Sequence, residues 1–593
     1  MADLFLNLGV DQIGTSLLGC SLLKALSVKA ESYEETALSN SFLVHSQILE
    51  NFAISVLNEC YMRSKLDAHT LLYRDMKQLG NIPILALAER QQLMDFAEHP
   101  ACQTKLTSIW KSDISPRTSQ LMILLTSVLP FLIMFMKFNV PDHKSAKSNQ
   151  VEDDGSTGQT SSKKPHKELS KFTKLREVRV GCSGENRLNV FRALYNFYSA
   201  PVTKFTTNIM AYIILLGLFS YFLLTNIQPV GEPNSPSVIE YIVWAWFATM
   251  FLEEIRQVTS THQRSITYKL SSWFGDFWNR FDLLTFICLV ISIIMRYQLE
   301  MDKFVYTRVV YSITLLLTYL RFMQFHFAQP DIGPKVIMIR RMLTDLSLFF
   351  FILLVFVLGF GVAYHINMFP NQPLSWSILY TVFLFPYFQI FGELFLDELG
   401  GKIEDGDGCT KNQTIWLEDP SQRCPEKNAI VYIFLAVYLV LTNILLINLL
   451  IAMFSYTFQK VNSTKVWRFY RISLVYEYFH RPSLVPPIII INLIWRMMSF
   501  IFEWKYGTHI KFGVTLDADN NQRLRLFEKS AVDAHLAQSS KKERKLLDFR
   551  AASISDRLEL VMSDLQKLNK AIQSVTQLEL RQGTPGGSHD QNV

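Results

Sequence analysis

Residues 386–401 read PYFQIFGELFLDELGG, an aromatic run that breaks at Gly392. Acidic residues follow the glycine at Glu393, Asp397 and Glu398. The stretch lies between two long apolar segments, where a membrane protein would place a loop. The role of the Phe-Gly-Glu triplet therefore depends on whether the flanking segments cross a bilayer.

Several apolar segments of this chain are long enough to cross a membrane. The chain has 593 residues, of which 49% are hydrophobic, and its mean hydropathy is above zero. A transmembrane helix needs about 20 predominantly apolar residues. A soluble core would contain a few such runs, but so many in one chain favour a membrane protein. The candidate spans are 204–226, 238–258, 280–297, 305–325, 346–369 and 429–454. Charges interrupt some of them, so hydropathy alone leaves the number open.

The distribution of Lys and Arg sets the predicted orientation. Basic residues crowd into 163–176, 264–269, 335–341 and 460–471, whereas the loop 227–237 has none. Cytosolic loops carry the excess of Lys and Arg, so all four basic segments lie inside only if there are six spans. We therefore expect a multi-pass plasma-membrane protein with both termini in the cytosol. The formal net charge of +6 gives no indication of a nucleic-acid partner.

The segment before the Phe-Gly-Glu triplet predicts a pore loop. Residues 374–390, LSWSILYTVFLFPYFQI, have helical character but are too short to cross the membrane twice. Non-helical backbone at membrane depth is tolerated where it lines a water-filled cavity. Six spans with a re-entrant loop before the last is the plan of a tetrameric cation channel. Phe391, Gly392 and Glu393 are then the predicted selectivity filter, with four Glu393 carboxylates forming a cation-attracting ring.

The predicted outer loop contains two further signals. Cys409 and Cys424 lie close together, and an external location favours a disulfide, although two free thiols stay an alternative. Asn412 begins a glycosylation sequon on the expected side. A second sequon at Asn462 would lie in the cytosol and be inert. The seven cysteines as a set show no metal-ligand spacing.

The sixth predicted span and its continuation carry a family resemblance. Residues 441–482 read LTNILLINLLIAMFSYTFQKVNSTKVWRFYRISLVYEYFHRP, and this resembles melastatin-type transient receptor potential (TRP) channels. The segments 333–342, GPKVIMIRRM, and 54–72, ISVLNECYMRSKLDAHTLL, look like further parts of the same family. The resemblance covers nearly the whole chain and implies an all-α polytopic fold and a homotetramer. Family members have a further N-terminal region, so the resemblance implies an N-terminally truncated chain. By the same resemblance, we expect no C-terminal kinase or Nudix-like module in this chain.

Composition, periodicity and the resemblance together give the following expected organisation. The parts are a cytosolic helical domain (1–118), a membrane-associated helix before the first span (119–138), a disordered linker (139–190), a ligand-sensing domain of four spans (200–326), a linker between the fourth and fifth spans (330–344), a pore domain (345–460), a TRP helix (464–480), cytosolic helices (481–547), a coiled coil (548–582) and a disordered tail (583–593).

Two pairs of polar residues predict a calcium site. Glu254 and Gln257, and likewise Asn279 and Asp282, are spaced i, i+3, so each pair shares one helix face. They offer only oxygen ligands, which suits Ca²⁺. The resemblance implies that these four are the family's calcium ligands and that Glu477 is a further acid near the site. The alternative is that polar side chains at the ends of spans merely meet water.

Other site residues are predicted from the fourth and sixth spans. The fourth span has only Arg308 and Arg321, whereas a strong voltage sensor repeats Arg every third residue, so we expect weak voltage dependence and an Arg321 that braces the ligand cavity. The resemblance places the gate at Ile451, near Asn448, whose amide faces either the pore or a neighbouring helix. The basic residues of 460–471 would attract phosphoinositides, or they are ordinary positive-inside residues.

The C-terminal segment predicts a coiled coil. Apolar residues recur with alternating spacings of four and three; they are Ile554, Leu558, Val561, Leu565, Leu568, Ile572 and Val575. Leucine at a positions with β-branched residues at d positions favours more than two strands. This pattern agrees with a homotetramer.

The sequence-based conclusion is a calcium-permeable, non-selective cation channel. The resemblance is greatest to the calcium-activated branch, which implies gating by intracellular Ca²⁺ and by a nucleotide such as ADP-ribose, with the nucleotide site in the further N-terminal region. Glu393 departs from the Gln that most vertebrate members of that branch carry after Phe-Gly. The competing interpretation is a non-conducting membrane scaffold or regulatory subunit. An enzyme is not expected, because no nucleophile–base set, P-loop or metalloprotease motif occurs.

Overall fold

The structure is a computed structural model. It describes residues 11–76, 80–141, 175–180, 187–230, 236–260, 266–399, 409–460, 463–492 and 512–582, together with residues 494 and 498. The chain divides into two compact units, one formed by Met1–Lys105 and Lys511–Val593 and the other by Leu106–Ile510. The predicted sequon at Asn462, most of the predicted linker and the predicted tail lie outside the described residues.

The first unit is built from short helices around a long helical hairpin. Its elements are α1 (Gln12–Ser32), α2 (Thr36–Arg63), α3 (Lys65–Tyr73), β1 (Asp75–Met76), β2 (Ile82–Pro83), α4 (Ile84–Arg90), α5 (Met94–Glu98), the start of α6 (Pro100–Lys111) and the C-terminal α22 (Ala518–Gln582). Buried Leu17 and Leu57 belong to its core. By length and composition α1 could cross a membrane, but 56% of it is buried inside the structure.

A buried ion network ties the start of α22 into this unit. Arg74 is 2% exposed and its Nη2 lies 2.6 Å from Asp11 Oδ1 and 3.0 Å from Glu528 Oε2. Glu528 also accepts a hydrogen bond from the backbone N–H of Ile13 at 2.8 Å. The predicted boundary between cytosolic helices and coiled coil at 547/548 does not coincide with a break, because α22 is one continuous helix.

The second unit begins with a small sheet that corrects one prediction. Strands β3 (Lys137–Pro141) and β4 (Leu175–Val180) pair antiparallel, and β4 pairs parallel with β5 (Arg187–Leu188). The sequence predicted a disordered linker over 139–190, but its two ends form strands. Their physical reason is burial, because Phe138, Val180 and Leu188 pack into one core with Phe197. Short strands beside a polar insertion gave no clear periodic signal.

The remaining elements of this unit are almost all helical. They are the end of α6, α7 (Gln120–Val128), α8 (Val190–Ser199), α9 (Pro201–Thr225), α10 (Val238–Ser260), α11 (Ile266–Gly275), α12 (Phe277–Gln298), α13 (Phe304–Phe322), α14 (Gly333–Met368), α15 (Ser377–Leu379), α16 (Phe385–Ile390), α17 (Leu396–Leu399), α18 (Gln413–Glu418), α19 (Ile430–Leu439), α20 (Ile447–Lys460) and α21 (Ser463–His480). A 3₁₀ helix at Pro130–Phe135 follows α7, because Pro130 has no N–H with which to continue α7 but is tolerated at the first position of the next helix.

Five helical segments of the described residues are long and apolar enough to cross a membrane. Besides α1 they are α9, α12, α14 and the segment Ile430–Gln459. The second and fourth predicted spans correspond to α10 and α13, which are not among these five: α10 has four charged residues, and α13 has two arginines and seven Ser, Thr or Tyr residues. Both pack against α9 and α12 around Phe219, Phe247 and Tyr311. The predicted spans therefore all form helices, and α14 also contains the predicted linker between the fourth and fifth spans.

Candidate pore and calcium site

The predicted pore loop is a short helix that ends in a turn. α15, a π-helical stretch at Tyr380–Leu384 and α16 together run to Ile390. The backbone N–H groups of Phe391 and Glu393 both donate to the carbonyl of Phe388, at 3.0 and 3.3 Å. Gly392 between them has φ +101°, a conformation that side-chain-bearing residues rarely adopt. The glycine therefore allows the chain to leave the helix at the predicted filter.

Contacts with neighbouring helices hold this short helix. The Tyr438 hydroxyl of α19 donates to the carbonyl of Pro386 at 2.9 Å. His365 of α14 and the Thr381 hydroxyl are hydrogen-bonded at 2.8 Å. A Cβ on Gly361 would collide with the Val382 carbonyl, so α14 approaches the loop closely only because it has glycine there. The loop is thus packed between α14 and α19.

The sixth span contains a local change of helix type. Val440–Leu446 is π-helical and joins α19 to α20. Within the described residues, the Asn443 side-chain oxygen is buried without a hydrogen-bond partner. The predicted gate residues Ile451 and Asn448 are both exposed on α20. Lower on α20, Thr457 donates a hydrogen bond to Asp345 of α14.

The outer loop has the predicted arrangement of cysteines. Cys409 and Cys424 are joined as a disulfide. The backbone N–H of Cys424 also donates to the Thr410 carbonyl at 3.2 Å. Asn412 is exposed and caps α18, its side-chain oxygen accepting from the Thr414 N–H at 3.2 Å.

A polar cavity lies among α9, α10, α12, α13 and α21. It brings together seven charged side chains, which are Lys204, Glu253, Glu254, Asp282, Arg321, Glu477 and Arg481. Apolar residues such as Trp246 and Phe286 complete the wall. Charges concentrated inside a membrane domain are costly, so such a cluster indicates a functional site.

The cavity contains two of the four predicted calcium ligands. Glu254 and Asp282 line it, whereas Gln257 and Asn279 are not among its lining residues. The Asn279 amide instead donates to the Trp273 carbonyl at 3.1 Å, and the Trp273 indole N–H donates to Glu254 at 3.3 Å. Glu477 also lines the cavity. The i, i+3 pairs therefore place one carboxylate each in the cavity and leave both amides beside it.

Asp282 is bound on both of its oxygens. Arg321 Nε donates to Oδ1 at 2.5 Å and Nη2 donates to Oδ2 at 2.8 Å. Both side chains are largely buried, with exposed fractions of 14% and 6%. Such bidentate pairs are among the strongest charge-assisted hydrogen bonds. The predicted bracing role of Arg321 thus takes the form of a direct ion pair.

Two basic residues of the cavity were not predicted. Arg481, just after α21, lies 3.7 Å from Glu253 and 3.3 Å from Glu477. Burial lowers the pKa of its guanidinium, but the Tyr478 hydroxyl and these carboxylates raise that pKa above its ordinary value, so Arg481 stays charged. Lys204, in the first turn of α9, donates to the carbonyl of Arg481 at 2.7 Å. In the sequence, the only sign of this role was that a lysine, Lys204, stands at the start of the otherwise apolar first span.

The helix that follows the sixth span is linked to the end of the fourth. The indole N–H of Trp467 in α21 donates to the carbonyl of Phe327 at 2.8 Å, in a buried position. Phe327 belongs to the 3₁₀ helix Met323–Ala328 that continues α13. Through this bond and the cavity, α21 contacts the ends of both the first and the fourth spans.

Comparison with known proteins agrees with this architecture. The ion transport protein family matches residues 203–466, and the TRPM2-like domain matches residues 1–99. A sea anemone (Nematostella vectensis) transient receptor potential cation channel subfamily M member-like 2 is 29% identical over 653 residues, covering 100% of this chain and 41% of that protein. Human subfamily M member 5 is 29% identical, covering 92% of this chain and 46% of that protein. Rat subfamily M member 2 is 28% identical, covering 94% and 34%.

This chain spans about two fifths of the length of the sea anemone relative. Both family matches and all three relatives point to one group, and the helical membrane domain with its pore loop has the architecture of that group. The chain contains an ion transport protein domain and a TRPM2-like domain, and over nearly its whole length it is similar to the melastatin (M) subfamily of transient receptor potential cation channels.

Proposed function

We propose that this chain is a calcium-permeable, non-selective cation channel that opens when intracellular Ca²⁺ binds between its second and third spans. The observation that carries the proposal is that Glu254 and Asp282 line one cavity together with the helix that follows the sixth span. The channel lies in the plasma membrane with both termini in the cytosol. The cavity then faces the cytosol and the outer loop faces the outside.

The donor set fits Ca²⁺. Two buried carboxylates and the nearby amides of Gln257 and Asn279 are all oxygen donors, which Ca²⁺ prefers at distances of about 2.3–2.6 Å. Among the described residues no group of three or more His, Cys, Asp or Glu side chains could hold a metal. The amide oxygens therefore have to turn toward the carboxylates, with Glu477 or water completing the shell.

Calcium in this cavity would act on the gate through α21. Glu477 and Arg481 reach the cavity from that helix and its end, and α21 follows α20, which carries Ile451. Binding shifts a conformational equilibrium only by the difference in affinity between the two states. An ion that contacts α10, α12 and α21 at once would bind the closed and open states with different affinities if α21 moves when the gate opens.

The pore is proposed to be formed by four copies. The positions of the apolar repeat on α22 from Ile554 to Ile572 are 55–60% exposed in the single chain, as expected of residues that pack against other copies. Four Glu393 side chains, each exposed just after Gly392, would then ring the outer end of the pore and attract divalent cations. Gating by ADP-ribose and binding of phosphoinositides stay predictions from the resemblance.

The test is a calcium dose–response on inside-out patches. Glu254→Gln and Asp282→Asn should each need far more bath Ca²⁺ for half-activation, because a site with two carboxylates loses half of its formal charge. Unitary current should not change, since neither residue lies in the pore domain. Glu300→Gln, an exposed acid in the loop after α12, is the control and should behave like the parent. Parent-like calcium responses in both cavity variants would refute the proposed sensor.

A further inference from the structure

We propose that the Arg321 guanidinium competes with calcium for Asp282, so that this carboxylate binds only one of the two cations at a time. Displacement of Arg321 then transmits the calcium-binding event to the fourth span. This inference rests on the proposed function, because it takes Glu254 and Asp282 as the calcium-binding carboxylates. It adds a residue that is not a calcium ligand and assigns it a role in setting affinity and in coupling.

The competition follows from the occupancy of Asp282. Both carboxylate oxygens accept from Arg321, through Nε and Nη2. Calcium needs carboxylate oxygens at direct ligand distance. A guanidinium and a divalent ion sharing the same two oxygens would also repel each other, and more strongly at this largely buried pair than in bulk water. Asp282 can therefore bind either calcium or Arg321 with both of its oxygens, but not both cations at once.

Glu254 has a different environment, so Arg321 competes with calcium at Asp282 but not at Glu254. Its described partner is the indole N–H of Trp273, and among the residues that the structure describes Glu254 forms no ion pair. Glu253, its neighbour in sequence, is instead bound by Arg256 at 2.6 and 2.7 Å. Glu254 thus offers a carboxylate to an arriving cation, and the affinity is limited at Asp282.

Arg321 lies at the end of the fourth span, where its contacts can affect the segment that follows. Its guanidinium lies over the Trp278 ring, 5.6 Å from the centroid. It belongs to the last turn of α13, and the following 3₁₀ helix carries Phe327, whose carbonyl accepts from Trp467 of α21. Releasing Arg321 from Asp282 therefore frees the segment that hydrogen-bonds the helix leading to the gate. The exchange of cations gives the fourth span a direct way to respond to calcium.

The size of the change in calcium affinity depends on the fraction of Asp282 side chains that are not paired with Arg321. If the ion pair is formed nine-tenths of the time, the apparent dissociation constant for calcium is about tenfold higher than at an unpaired site. Removing the guanidinium should therefore tighten calcium binding, although the substitution deletes a buried contact. Simple structural damage would have the opposite effect and weaken binding.

The experiment measures equilibrium Ca²⁺ binding to the purified full chain in detergent, independently of current. We expect Arg321→Gln to bind Ca²⁺ about tenfold more tightly than the parent. Arg321→Lys should fall between them, because an ammonium keeps the charge but loses the bidentate geometry. Arg308→Gln, which removes the other arginine of α13 on its exposed side, is the matched control and should bind like the parent.

The outcomes separate the two proposals. Equal or weaker binding in Arg321→Gln, with parental binding in Arg308→Gln and reduced binding in Glu254→Gln, would overturn the competition and leave the calcium site standing. Parental binding in Glu254→Gln would overturn the calcium site itself and the competition with it. If Arg321→Gln fails to purify as a monodisperse assembly, the Arg321→Lys result decides, since tighter binding than the parent supports the proposal and weaker binding refutes it.

Discussion

Lys204→Met should weaken the coupling between the cavity and the gate. Lys204 is 6% exposed, and its ammonium donates to the carbonyls of Phe479 and Arg481, at 3.3 and 2.7 Å. These carbonyls lie at the C-terminal end of α21, where helix carbonyls lack partners and a positive charge is favourable. One side chain of the first span thus holds the end of the helix that follows the sixth.

The expected size comes from the kind of bond that is lost. A hydrogen bond from a charged group contributes about 1.5–3 kcal/mol, and methionine keeps the length of the side chain while removing the donor. If that free energy holds α21 in place for coupling, the half-activating Ca²⁺ concentration should rise by about 10- to 150-fold. Calcium affinity itself should change little, because Lys204 is not an oxygen ligand.

The assay pairs calcium dose–response curves from inside-out patches with equilibrium Ca²⁺ binding on the purified chain. Lys204→Arg should restore much of the response, since it keeps a charged donor. Lys303→Met, which removes an exposed lysine at the start of α13, is the control. The reasoning is refuted if Lys204→Met leaves the dose–response curve where the parent has it, or if it shifts binding as much as activation.

Three further predictions concern the filter, the assembly and the N-terminal unit. Glu393→Gln should lower Ca²⁺ permeability relative to Na⁺, because an amide keeps the shape but removes the charge of the ring; unchanged reversal potentials under bi-ionic conditions would contradict this. Leu565→Asp should reduce the tetramer fraction measured by mass photometry, while Leu560→Asp, at an exposed position outside the heptad pattern, should not. Arg74→Met should destabilise the first unit by about 3–5 kcal/mol, because it leaves the buried Glu528 carboxylate without its ion-pair partner, and Arg523→Gln, at a more exposed pair, by about 1 kcal/mol at most. Hydrogen exchange in α1 would measure that difference, and equal protection in the two variants would contradict it.

The pore loop could be predicted from the sequence because its signals are local. A run of apolar residues too short to cross twice ends at a glycine, and Gly392 does adopt a positive φ. The structure adds what no local pattern shows, namely the support of the loop by Tyr438 and His365 from helices on either side. The i, i+3 spacing likewise predicted that each carboxylate shares a helix face with an amide, but not that Gln257 and Asn279 lie outside the cavity.

Contacts between distant residues account for most of what the sequence did not predict. Arg321 is 39 residues from Asp282, and Lys204 is 277 residues from Arg481. No periodicity links such pairs, since each depends on how whole helices pack. The strands at the ends of the predicted linker were unpredicted for a similar reason, because the partner of β3 lies beyond a long polar insertion.

Two of the predicted spans are less apolar than the others, and each brings charged side chains to the cavity. α10 contains Glu253 and Glu254, and α13 contains Arg321; both helices are long enough to cross a membrane but, unlike α12 with Asp282, are not apolar enough by composition. Their charges are tolerated because they face the cavity rather than lipid, and Arg321 is paired with Asp282 of α12. Replacing Glu254 by an apolar residue would remove a proposed calcium ligand, whereas removing the Arg321 charge would free Asp282. A span's low hydropathy is therefore informative in this chain, because it marks helices that bring charged side chains to the cavity. We expect an apolar residue at position 254 to weaken calcium binding, and loss of the Arg321 charge to tighten it.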